Sequence, residues 1–245
     1  MKRTVKILAI GIALLLITTT TILGTLSFLT AKKSVINTFT VGKVDITLDE
    51  TDVDEYGVAV PNTTARVVEN HYKLIPGHTY LKDPTVTVKG GSESSYIRIM
   101  MTVYARTEMD AIIANARNGL TDYASFIVDL DSAKADGERS WNYVGYTVDD
   151  TADSITFEFR YKTAVSGFDT EGNEVDVALA PLFTKIKVPG ALTGEELNTL
   201  KDGGFKMEIE AHAIQAEGMS SADVAWQEFK TQQEALASNP GNTTP

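Results

Sequence analysis

From Tyr96 to Tyr104 the chain alternates with a period of two. Ile97, Ile99, Met101 and Val103 fall on one face, and Arg98, Met100, Thr102 and Tyr104 on the other. That pattern predicts a half-buried strand of an antiparallel sheet. Ile155, Phe157, Phe159 and Tyr161 alternate with Thr156, Glu158, Arg160 and Lys162 in the same way. So do Phe205, Met207, Ile209, Ala211 and Ala213 with Lys206, Glu208, Glu210 and His212. Shorter β-rich runs lie at 86–88, 126–130, 141–148 and 182–188. Phe39 and Val41 share one parity while Val44, Ile46 and Leu48 share the other, with Gly42 between them where a bulge would restore the facing.

Helical spacing is rarer. It predicts a helix over 108–118 stopped by Gly119, a second starting at Thr193 with Glu196 three residues on as a capping box, and a third over 221–236 capped by Ser220 or Ser221. Eight or nine strands with three short helices between them disfavour a doubly wound α/β fold. They predict an all-β, antiparallel β-sandwich with a few short inserted helices. No repeat or Gly/Ser linker divides 28–237, so it reads as one domain, followed by a small, polar and disordered tail at 238–245.

The first 27 residues read as a secretory signal. Lys2, Arg3 and Lys6 precede the apolar run Ile7–Ile17, and no acid appears before Asp45. Eleven apolar residues are too few to span about 30 Å of hydrocarbon, which takes roughly 20. Thr25 and Ser27 fit the small-x-small rule for cleavage between Ser27 and Phe28. Extended to Leu26, the stretch would instead serve as an uncleaved anchor, the one membrane contact the sequence offers. Cleavage leaves 19 Lys and Arg against 33 Asp and Glu, taking the net charge from −11 to −14. That balance argues against nucleic acid as a partner. A secreted chain without cysteine points to a bacterial exterior, and thiolate metal sites and disulfides are excluded.

Candidate chemistry is sparse. His71, His78 and His212 lack the His-Glu-x-x-His spacing of a zinc protease, and neither a Gly-x-Ser-x-Gly elbow nor a phosphate-binding glycine loop is present. The simpler reading of these histidines is surface or strand-edge side chains, so no catalytic residue is assigned. Asp49, Asp52 and Asp54 in one acidic run, and Asp169, Glu171 and Asp176 in another, are candidate Ca²⁺ ligands. Solvated loop acids are the simpler account of both runs. Tyr96, Tyr104, Trp141, Tyr143 and Tyr146 are a candidate carbohydrate-stacking face, against the simpler reading of core and cross-strand aromatics.

Several segments occur in a telling order. Gly24-Thr25-Leu26-Ser27 precedes Phe28-Leu29-Thr30, then Asn37-Thr38-Phe39-Thr40-Val41-Gly42-Lys43-Val44-Asp45-Ile46-Thr47-Leu48. Lys73-Leu74-Ile75-Pro76-Gly77, Lys82-Asp83-Pro84-Thr85-Val86-Thr87-Val88 and Ser95-Tyr96-Ile97-Arg98-Ile99 follow, and the match returns at 211–217. In that order and spacing the chain resembles the TasA/camelysin family of Gram-positive bacteria, whose precursors carry SipW-type signal peptides. The resemblance implies a secreted jelly-roll β-sandwich that self-associates into extracellular fibres of the biofilm matrix, with a dedicated SipW-type signal peptidase and other matrix proteins as partners. It also implies donor-strand addition between subunits by a segment within 28–48, with Phe39, Val41, Val44 and Ile46 as pocket fillers. Insertions around 108–150 and 165–180 depart from the best-known fibre members. Two other functions are expected as alternatives: a metalloendopeptidase, as described for the camelysin branch, and a monomeric surface adhesin binding Ca²⁺ or glycans. No other cofactor is expected.

Overall fold

A computed structural model describes residues 43–115 and 120–238, all within one compact unit. Ser27, Phe28, Phe39, Val41 and the Gly42 bulge therefore lie outside the described residues, as does 239–245. The first strand is β1 (Ile46–Thr51), followed by β2 (Arg66–Val67), β3 (Thr79–Leu81), β4 (Thr85–Val88) and β5 (Ser95–Tyr104). Helix α1 (Arg106–Ala114) leads to β6 (Ile127–Val128), β7 (Trp141–Asp149), β8 (Ser154–Tyr161), β9 (Val177–Ala178) and β10 (Lys185–Lys187). Helix α2 (Gly194–Asp202), β11 (Met207–Gln215) and helix α3 (Ala222–Ser238) complete the order.

These strands form an antiparallel sandwich. One sheet runs β2-β1-β4-β9, the other β11-β5-β8-β7, and a small third sheet runs β3-β10-β6. Burial along β5 alternates at every residue, with Ile97, Ile99, Met101 and Val103 facing inward. In register, Ile99 lies opposite Phe159 on β8 and Ala211 on β11. These side chains meet Val86 and Val88 of β4 and the buried Trp141, Leu182 and Phe183 to make the main core. A second core closes one end of the sandwich, where Met109 and Ile112 of α1, Leu197 and Leu200 of α2, Phe126 and Tyr80 pack on Val103 and Ile155. The inserted helices thus plug an open end of the sheets and bury apolar area that the strands alone would leave wet.

Local differences from the sequence pattern have identifiable causes. The expected strand at 126–130 shrinks to two residues because Asp122 and Ser125 cap a 3₁₀ turn over Tyr123–Phe126 that drives Phe126 into the core. Leu182 and Phe183 are core anchors rather than strand residues. β11 starts at Met207, since Gly203 and Gly204 end α2 immediately before Phe205. α1 begins two residues before the expected Glu108. Its free N-terminal groups are met from outside the helix, by Asp153 accepting from the Thr107 N–H at 3.2 Å and the Thr107 hydroxyl at 2.6 Å. Thr193 and Glu196 form the expected capping box, and Ser221 caps α3. That helix continues through Ser238, which the sequence pattern assigned to the tail.

Candidate functional site

A groove of about 740 Å³ opens between the β1–β2 side of the first sheet and β11. Leu48, Val188, Leu197, Phe205, Met207 and Ile209 give it an apolar lining. Among the described residues β11 pairs only with β5, so it lies at the edge of its sheet with its outer backbone groups facing away. On β11 the charged positions Glu208 and Glu210 alternate with the lining residues, and Glu208 accepts a hydrogen bond from the Tyr104 hydroxyl at 2.8 Å.

A buried ion pair sits among the lining residues. Glu50 follows Ile46 and Leu48 at inward parity on β1, and its carboxylate meets the Lys82 ammonium at 2.7 Å with side-chain exposures of 8% and 10%. Lys82 also lies over the Tyr72 ring, 5.7 Å from its centroid. Burial, reinforced by the negative charge of Glu50, pushes the Tyr72 phenol well above its ordinary value, so it stays protonated and donates to the Leu81 carbonyl at 3.1 Å.

The first acidic run is structural in this fold. Arg66 of β2 pairs with the Asp49 carboxylate and reaches Asp83 at 3.1 Å, while Asp83 accepts from the Thr51 N–H at 2.7 Å. Asp54 accepts the N–H groups of Tyr56 and Val58 at 2.9 Å each, closing a turn at Gly57. Gly57 has φ +72°, and a Cβ there would stand 2.6 Å from the Tyr80 Cα. In the second run, Asp169 accepts the N–H groups of Glu171 and Asn173, and Asp176 pairs with Lys89. Of the six Ca²⁺ candidates, Asp49, Asp54, Asp169 and Asp176 are thus committed to ion pairs or turns, while Asp52 is half-buried and Glu171 exposed. Among the described residues no group of three or more His, Asp or Glu side chains is placed to hold a metal ion.

His71, His78 and His212 have three separate sets of neighbours. His71 is exposed near Glu69, and the His78 Nε2 is 2.8 Å from the Tyr56 carbonyl oxygen. His212 sits on the outer face of β11, stacked on Phe229 of α3 at 5.1 Å, and its Nδ1 accepts from the Arg98 Nε at 3.1 Å. Burial, and then the Arg98 charge, hold His212 below its ordinary pKa. Arg98 in turn lies over Trp226 and Phe229 at 4.6 and 4.8 Å, fastening α3 to the sheet. The five candidate stacking aromatics do not form one face. Trp141 is fully buried, Tyr96 packs beneath α3, and Tyr143 and Tyr146 are exposed on β7.

Residues within 28–48 divide at Lys43. Lys43 and Asp45 are tied to the chain's own Glu93 and Ser92, and Ile46 pairs with Val88 inside the first sheet. Val44 is exposed between them. Of the four candidate pocket fillers, Ile46 therefore sits in this subunit's own sheet, Val44 is exposed just before it, and Phe39 and Val41 lie outside the described residues. The groove, the Glu50–Lys82 pair and the Arg66 clamp were not predicted from the sequence. The signal was there in part: Glu50 continues the inward parity of Ile46 and Leu48, and an inward acid requires a cation.

Among the described residues no helix is long and apolar enough to cross a membrane. Comparison with known proteins finds no family model that matches the chain and no match among curated proteins or solved structures.

Proposed function

We propose that this chain is a secreted, non-enzymatic structural subunit of extracellular matrix fibres, of the TasA/camelysin type, with a jelly-roll-like sandwich. Its residues 28–42 add as a strand to a neighbouring subunit once the signal is cleaved before Phe28. The observation that carries the reading is the apolar groove beside β11, whose outer edge has no partner among the described residues, in a sandwich whose β1 begins shortly after that segment. An added strand would satisfy the open main chain of β11, and alternating side chains such as Phe39 and Val41 would enter the apolar lining. Charge agrees with this, since Glu208 and Glu210 on β11 suit a strand bearing Lys32 and Lys33. Donation from one copy to the next is heterologous and does not close, so it builds filaments.

A synthetic peptide of residues 28–42, titrated into the chain from Lys43 onward, tests the contact. Saturable binding that weakens on replacing Phe39 and Val41 with Asp is the expected result. Absence of binding, or binding indifferent to those two residues, overturns the reading.

A further inference from the structure

The two edges of the β11-β5-β8-β7 sheet are protected unequally. β11 carries Glu208 and Glu210 at alternate positions, which repel a second copy of the same edge. At the opposite edge β7 has neither charge nor proline from Trp141 to Val148. Among the described residues it pairs only with β8, so alternate N–H and C=O groups point outward from the sheet. Tyr143, Val144, Tyr146 and Val148 are 46–62% exposed, four large apolar side chains within six residues. Tyr143 and Tyr146 lean on Phe159 and Phe157 at 5.6 and 6.2 Å, and Val148 lies opposite Ile155. These three therefore continue the inner face of the sheet past its edge.

We propose that β7 is a second self-association edge, at which two copies of this chain pair antiparallel about a twofold axis and fuse two four-stranded sheets into one. Charge selects both the occupant and the direction. Two copies of a chain with net charge −11, or −14 once cleaved before Phe28, repel over most of their surface, and this uncharged strand is where they can approach. At one end β7 runs into the hairpin of Asp149, Asp150 and Asp153, which stays acidic although Arg106 pairs with Asp150 at 2.6 Å. At the other end stand Arg139 and Lys162, balanced by Asp136 and Glu138. Parallel pairing would set one acidic hairpin beside the other. Antiparallel pairing sets each hairpin beside a charge-balanced end, twice. The bulge between Tyr143 and Gly145 leaves Gly145–Asp149 as the unbroken run beside β8 and limits the available registers. A twofold contact is self-complementary and closed, so it stands independently of strand donation and would link neighbouring filaments side by side.

The chain contains no cysteine, which makes the test direct. A single cysteine is placed in the full chain at each position from 144 to 148 in turn, with Thr151→Cys in the hairpin loop as control. At the twofold axis one residue faces its own copy, with Cβ atoms within disulfide reach. Under mild oxidation that variant should yield at least about tenfold more covalent dimer on a non-reducing denaturing gel than the control. Adding Tyr143→Lys to it should return cross-linking to the control level while the melting curve stays that of the parent. Cross-linking at control level in all five variants overturns the proposal, as does cross-linking that Tyr143→Lys leaves unchanged in a chain that melts normally.

Discussion

Replacing Lys82 with Met strands the Glu50 carboxylate among the groove's lining residues without a partner. The two charges are 2.7 Å apart, and each side chain is at least nine-tenths buried, so water screens neither well. Breaking a buried pair on one side costs about 3–5 kcal/mol, because the remaining charge stays desolvated. For a domain of this size about 1 kcal/mol moves the midpoint by roughly 2–4 °C, so K82M should melt about 10 °C lower. Replacing both members, Glu50→Leu with Lys82→Met, removes the stranded charge and should recover all but about 1 kcal/mol. Thermal unfolding by circular dichroism of the two single variants and the double variant forms a complete cycle, with an expected coupling above about 2 kcal/mol. If K82M costs less than about 1 kcal/mol, the pair is solvated and this account of the groove is refuted.

Three further outcomes follow from the same geometry. Asp131 is fully buried; burial alone would raise its pKa, but Lys134 and the N–H groups of Trp141 and Ser140 hold it below the ordinary 3.8. Its stabilising share is therefore present above about pH 4 and lost as pH falls through the depressed value, so denaturant melts of Asp131→Asn should show a flatter acid limb than wild type. His212 is depressed from 6.5, so its share is present above that pH and fades below it, with Arg98 repelling and Glu210 and Glu158 attracting the new charge. Trp226 emission should report α3 loosening as pH falls below 6.5, and His212→Phe should abolish that change. Gly57→Ala must adopt φ +72° and push its Cβ into the Tyr80 backbone, which should cost at least about 2 kcal/mol in a urea titration; a loss under about 0.5 kcal/mol would contradict the close approach.

Much of the sandwich was legible because antiparallel strands with one buried face write their facing into the sequence. β5 is the clearest case: every residue of its alternation is borne out by burial. The start of α1 was hidden because its N-terminal groups are satisfied by Asp153, 46 residues away in the chain, and no local pattern carries that. Glu50 was hidden by company: in a run of acids it reads as solvated, and only its parity with Leu48 marks it as inward. The half-buried outer face of β5 reflects α3 lying across it, held through Arg98, a contact that periodicity alone does not announce. Edge protection at β11 and its lack at β7 became readable only once the topology set both strands at the margins of one sheet.

Strand donation is the central claim, and electron microscopy of two chains tests it most directly. One starts at Phe28, the other at Lys43, which keeps β1 and its ties to Ser92 intact. The account predicts filaments from the first chain and none from the second, with matching circular dichroism. Filaments from both, or from neither at micromolar concentration, would contradict it.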